Sequence, residues 1–189
     1  MAIRGPGPYH PVRLPLRLGK GPNTYGELSI VIQIPASLVV TAAAFREFMR
    51  KNRLDEVVEG LLAGVDIKSL EELQRPASQI QEIIHSSPLP EQVGEHILKG
   101  CQEMGQGTII VWPVRVPFDL VHFSQEQQQI RYVEALGSRG VIQAIRTCWA
   151  SLFESTAIFY RELNGQSHRD ARITVAAQRM LAPAFNGGL

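Results

Sequence analysis

Few residues in this 189-residue chain have types and spacings suited to chemistry, and they are scattered. Lys20 stands between Gly19 and Gly21 in a turn-forming run that continues into Pro22-Asn23. Flanking glycines let backbone amides approach an anion, and the ammonium adds a full charge beside them. The same tripeptide is more commonly a basic turn on the surface. Gln178 lies in the apolar run Val175-Ala176-Ala177-Gln178-Arg179-Met180-Leu181. A polar amide in such a strand requires a partner. His10, His85, His96, His122 and His168 show no His-x-x-x-His spacing, so no metal site is expected. Cys101 and Cys148 are isolated. Two such thiols predict a reducing, cytoplasmic setting with both sulfurs buried and inert.

Composition narrows the setting of this chemistry. Apolar residues make up 44% and charged residues 20%, as in an ordinary globular protein. The length allows one domain with a sizeable core. A net charge of +1 argues against nucleic acid as a partner. No run of apolar residues is long enough to span a membrane, and the Pro-, Gly- and Arg-rich start does not read as a secretory signal.

The elements that must position these groups alternate in type. Residues 1–18 carry four prolines and little periodicity, which predicts an irregular leader. Leu28 to Val40 predicts short strands around a bend at Pro35. Thr41 is placed to cap a helix over 42–51 that buries Ala44, Phe45, Phe48 and Met49. Further helices are expected over 54–62, from about Asp66 through Ile84, and from Pro90 to about Met104. Thr108 to Val116 is a strand in which Pro113 implies an edge, a bulge or an early end. Residues 117–129 read as loop and Ile130 to Ala135 as a short strand. Ser138 is placed to cap a long helix burying Val141, Ile142, Ile145, Trp149, Leu152 and Phe153. A second helix over Thr156 to Leu163 stops at Asn164-Gly165, and Arg172 to Leu181 reads as a buried strand. Helices and strands interleave without a repeat, so the expected class is α/β or α+β, with helices packed on a mixed sheet.

The last third carries a specific likeness. Ala144-Ile145-Arg146-Thr147-Cys148-Trp149-Ala150-Ser151-Leu152-Phe153, Ala157-Ile158-Phe159-Tyr160-Arg161, Asn164-Gly165, His168-Arg169 and Val175 to Leu181 follow one order and spacing. Together they resemble the N-terminal ATP-binding domain of the pyruvate phosphate dikinase/phosphoenolpyruvate synthase family, a domain that rifampicin phosphotransferases also carry. Earlier segments agree more loosely. Gly19-Lys20-Gly21, Asn23 and Gly26-Glu27-Leu28 are similar to the family's Gly-Gly-Lys-Gly-x-Asn-x-x-Glu-Leu opening, with one extra residue here. Ile34-Pro35, Val39-Val40-Thr41 and Ala44-Phe45 are similar to its Val-Pro-x-Gly-Phe-x-Val-Thr-x-x-Ala-Tyr, with Ser37 in place of the glycine. The likeness spans residues 19–189, which would be a partial ATP-binding domain behind the leader.

This resemblance implies the first lobe of an ATP-grasp fold, in which two lobes clamp ATP and pass a phosphoryl group to a histidine on a separate domain. Such transfer is mostly positioning and charge stabilisation. By match, Lys20 would touch phosphates, and Arg115 would be the second phosphate ligand. Gln178, Met180 and Leu181 match the strand that leads to the hinge beside adenine. The match assigns no catalytic residue and no metal ligand to this chain. It departs from the family after Arg115. Val116-Pro117-Phe118 replace Ser-Ser-Ala-Thr, which removes hydroxyl donors. The family's second lobe, which supplies the groups that hold Mg²⁺, would follow Leu189. Mg²⁺ is therefore expected only with a second lobe, and a separate chain bearing that lobe and the histidine domain is a possible partner.

Three readings follow. The chain is the ATP-binding portion of a phosphoenolpyruvate synthase/pyruvate phosphate dikinase-like phosphotransferase, a degenerate scaffold or interaction domain, or a portion of a rifampicin phosphotransferase-like antibiotic kinase. In isolation it is expected to show no kinase activity and weak affinity for ATP.

Overall fold

The computed structural model describes residues 36–66, 69–114 and 132–180, together with the backbone of three short strands before them. Those strands are β1 (Ile3–Arg4), β2 (Val12–Pro15) and β3 (Ser29–Ile32). The rest are β4 (Ser37–Val40), β5 (Thr108–Val114), β6 (Val133–Leu136) and β7 (Thr174–Arg179). The helices are α1 (Ala42–Lys51), α2 (Leu54–Leu62), α3 (Leu70–Ser86), α4 (Glu91–Met104), α5 (Gly137–Ala150) and α6 (Ser155–Leu163).

The main sheet runs β1-β4-β7-β5-β6, while β2 and β3 pair separately. Every described pairing is antiparallel. The α+β class holds, but the described sheet is not the mixed one expected. The leader also differs from expectation: β1 pairs with β4 and β2 with β3, so residues 1–18 are not wholly irregular.

β7 occupies the centre of the sheet, and its alternation assigns its two faces. Val175 and Ala177 are fully buried, as are Leu38 and Val40 on β4 and Val111 on β5, with Ile109 nearly so. All six belong to one apolar cluster with the helices. α5 packs across β5, β6 and β7, α4 on β4, and α1 on β7. Gln178, Ala176 and Thr174 alternate to the other face, beside Ser37 and Val39 of β4 and Ile110, Trp112 and Val114 of β5.

Trp149 is the centre of the helical layer and is completely buried. Phe48 and Phe45 of α1 lie 4.7 and 5.7 Å from it, ring centre to ring centre. Phe153 follows one turn later in a short 3-10 turn, Ser151–Phe153, also fully buried. Each such aromatic contact adds about 0.5–1.5 kcal/mol beyond the area it hides.

Element ends follow local chemistry. The Ser69 hydroxyl accepts from the Glu72 amide at 3.3 Å and caps α3. Pro113 lies past Val111, the last β5 residue paired with β6. One side of the strand has no ladder there, and a missing N–H is tolerated. Ser138 does not cap α5. The cap position is Leu136, and Gly137 opens the helix at φ +65°, so the chain passes from β6 into α5 with no intervening loop.

Candidate nucleotide site

Gln178 lies in register between Ser37 on one side and Ile110 on the other. It is half-buried, and its side chain makes no hydrogen bond among the described residues. A half-buried amide without a protein partner in the middle of a sheet face can bond to solvent or to a ligand. Two residues on, Met180 donates its amide to the Thr108 carbonyl at 2.8 Å, which fixes the strand's exit. The Met180 side chain is 46% exposed. Leu181, Lys20 and Arg115 lie outside the described residues.

The register sets Val114 and Met180 at opposite ends of the β5–β7 pair. Val114, the residue before Arg115, pairs with Thr174, while Met180 bonds to Thr108. Six residues of antiparallel strand separate these ends, on the order of 20 Å. Ile110, Trp112 and Ala176 line the face between them, all on the side away from the helices. Sequence reasoning singled out Gln178 but not these neighbours. Their signal was the alternation of β5, which shows its meaning only once β7 is known to lie beside it.

The remaining polar side chains work as fasteners on the helical side. Arg146 of α5 donates to the carbonyls of His85 and Ser87 at 2.9 and 2.8 Å, and so caps the C-terminal end of α3. Burial lowers its pKa. Arg46 makes a two-pronged pair with Asp55, joining α1 to α2. Arg169 clasps Glu59 of α2 with two hydrogen bonds. Arg161 donates to His168 Nδ1 at 3.1 Å and to the Leu152 carbonyl, and lies 5.5 Å over the Phe153 ring. Arg146, Arg161, His168 and Arg169 belong to the likeness in the last third, and their contacts serve packing.

Both cysteines are free and buried. Burial pushes the Cys148 thiol up to about 12 and raises that of Cys101. Neither is a nucleophile at neutral pH. Among the described residues, no group of three or more His, Cys, Asp or Glu could hold a metal ion. No helix among them is long and apolar enough to cross a membrane.

With this geometry in hand, the likeness can be placed. The sequence matches the family described as pyruvate phosphate dikinase, AMP/ATP-binding domain, over residues 18–188. The chain belongs to that family. All five candidate residues fall within the matched span, and the family's ligand is AMP or ATP. A probable phosphoenolpyruvate synthase of Methanothermobacter thermautotrophicus is 37% identical over 171 residues, covering 86% of this chain and 25% of the relative. A second, from Archaeoglobus fulgidus, is 34% identical over 179 residues, covering 92% and 24%. A rifampicin phosphotransferase of Bacillus cereus is 31% identical over 172 residues, covering 89% and 20%. The chain spans a quarter or less of the length of these relatives. As a pyruvate phosphate dikinase-type AMP/ATP-binding domain, it carries its likeness in the last third on α5, α6, the turn after α6 and β7, the strand that holds Gln178.

Proposed function

We propose that this chain is the ATP-binding portion of a phosphoenolpyruvate synthase-like phosphotransferase, and that nucleotide lies on the sheet face opposite the helices. The supporting observation is the unengaged Gln178 amide on the central strand of a domain whose family binds AMP or ATP. In this reading Gln178 contacts the base, and Met180 and Leu181 pack against its faces. Lys20 and Arg115 would meet the phosphates, as the family resemblance implies. Cationic and amide donors there would stabilise charge on the phosphoryl group.

Mg²⁺ has no carboxylate cluster among the described residues. The described residues therefore do not fit a metal site, and metal ligands would come from outside them. The phosphoenolpyruvate reading is preferred over the antibiotic one because the 37% and 34% relatives bear that name and the rifampicin relative stands at 31%. A degenerate scaffold is the second reading, favoured by Val116-Pro117-Phe118 where the family carries hydroxyls.

Titration calorimetry of the 189-residue chain with ATP separates these readings. Weak binding that is lost in Lys20→Ala supports the surviving site, and micromolar binding lost in that variant sinks the degenerate reading. An absence of heat at millimolar ATP sinks the site. No phosphoryl transfer is expected from the chain alone.

A further inference from the structure

His168 opens a short 3-10 turn, His168–Asp170, on the segment that joins α6 to β7. Its ring is nearly buried, with 11% of the side chain exposed. Nδ1 accepts the Arg161 Nε–H at 3.1 Å, so that nitrogen carries no proton. Nε2 lies 2.8 Å from Glu162 Oε1, but the contact is misaligned and the buried N–H has no well-formed hydrogen bond. Arg161 is held independently by the Leu152 carbonyl and the face of Phe153. The imidazole is therefore wedged against a fixed guanidinium, which favours its neutral form.

We propose that Ser167–Ala171 is a proton-released strap: a proton taken from solvent onto His168 Nδ1 breaks the bond to Arg161 and frees the turn from α6. Two cations would then face each other across the former hydrogen bond, and Arg161 cannot yield without losing Leu152 and Phe153. Among the described residues, the charged groups around the ring are Arg161 and Glu162 on α6 and Arg169 and Asp170 on the turn itself. On α2, Glu59 holds Arg169, with Asp55 and Glu56 acting on the same guanidinium. Glu162 favours the imidazolium, but burial and the Arg161 charge outweigh it and hold the ring below its ordinary value of 6.5. The strap is thus closed above that value. It loosens as pH falls through it, and the loss is complete below the lowered folded value. Ala171 and Ile173 remain buried at 7% and 8% exposure, so the opening is local and β7 stays in the sheet.

Amide hydrogen exchange on the full chain tests this, read as protection factors at Arg169, Asp170 and Ala171. Their amides bond to Ser167 Oγ and to the Ser167 and His168 carbonyls. Protection should fall as pH drops through about 6.5 and go on falling to the lowered folded value, by about tenfold for each pH unit separating the unfolded and folded pKa values. Amides of α3 and α5 should keep theirs. His168→Gln, which cannot titrate, should show protection at the turn that does not change with pH. If that variant fails to fold, Glu162→Gln serves instead. Removing the carboxylate lowers the ring's pKa further and should deepen the loss toward lower pH. Three results overturn the strap: constant protection in the native chain, the same pH dependence in His168→Gln, or a loss shared equally by α3 and α5.

Discussion

The two faces of the central strand β7 are built from neighbouring residues and obey opposite rules. On the helical face, Val175 and Ala177 are fully buried and meet a layer centred on Trp149. On the other face, Gln178 keeps an unengaged amide and Met180 is 46% exposed. The helical face contains much of the motif that marks the family, and there Arg146, Arg161 and Arg169 fasten one element to another. The opposite face holds Gln178, which belongs to the same run of likeness, and with it the candidate chemistry. Packing and the candidate site therefore lie on different sides of one sheet. A strand can serve both because successive side chains point in opposite directions.

This contrast can be broken by substitution. Trp149→Ala should have the largest effect, about 3–5 kcal/mol of lost stability in chemical denaturation, because the cavity sits between Phe45 and Phe48 and cannot collapse. Arg146→Met should cost about 1–3 kcal/mol by leaving the His85 and Ser87 carbonyls without their donor. A much smaller loss would mean that water replaces the guanidinium.

Gly100→Ala sharpens the picture of how tightly the helices seat. A Cβ there would stand 2.7 Å from Leu38 Cδ1, and Leu38 is completely buried. The helix gains about 1 kcal/mol from alanine, and overpacking costs about 1–3 kcal/mol. The net change should be a modest loss, smaller still in a Leu38→Val background, as a double-mutant cycle would read. A stabilised Gly100→Ala would show that α4 can lift from β4.

Gln178→Ala should have the smallest effect on stability, within about 0.5 kcal/mol, while weakening any ATP binding seen by calorimetry. Equal losses in stability and binding would return Gln178 to the core. A loss of stability with binding unchanged would remove it from the site.

Much of the fold was legible because its signals are local. The helix over 42–51 follows from the spacing of Ala44, Phe45, Phe48 and Met49, and α1 occupies those residues, with Thr41 at the cap position but making no side-chain cap bond. The stop at Asn164-Gly165 is likewise realised, with Gly165 at φ +64°. Ser138 misled because a capping residue two positions into a helix looks the same in sequence as one at its start. The deciding residue was Gly137, whose positive φ lets α5 begin directly after β6. The mixed sheet failed for a non-local reason: interleaved helices and strands do not state which strands are neighbours or how they run.

By itself the sequence determined the family, the helices, the core around Trp149 and the presence of a polar residue on a buried strand. Each of these is encoded in residues close together along the chain. Only the tertiary structure decided that β7 is central, that Gln178 stands between Ser37 and Ile110, and that the Val114 and Met180 ends lie far apart. Those facts depend on register between strands separated by many residues, which no local pattern specifies.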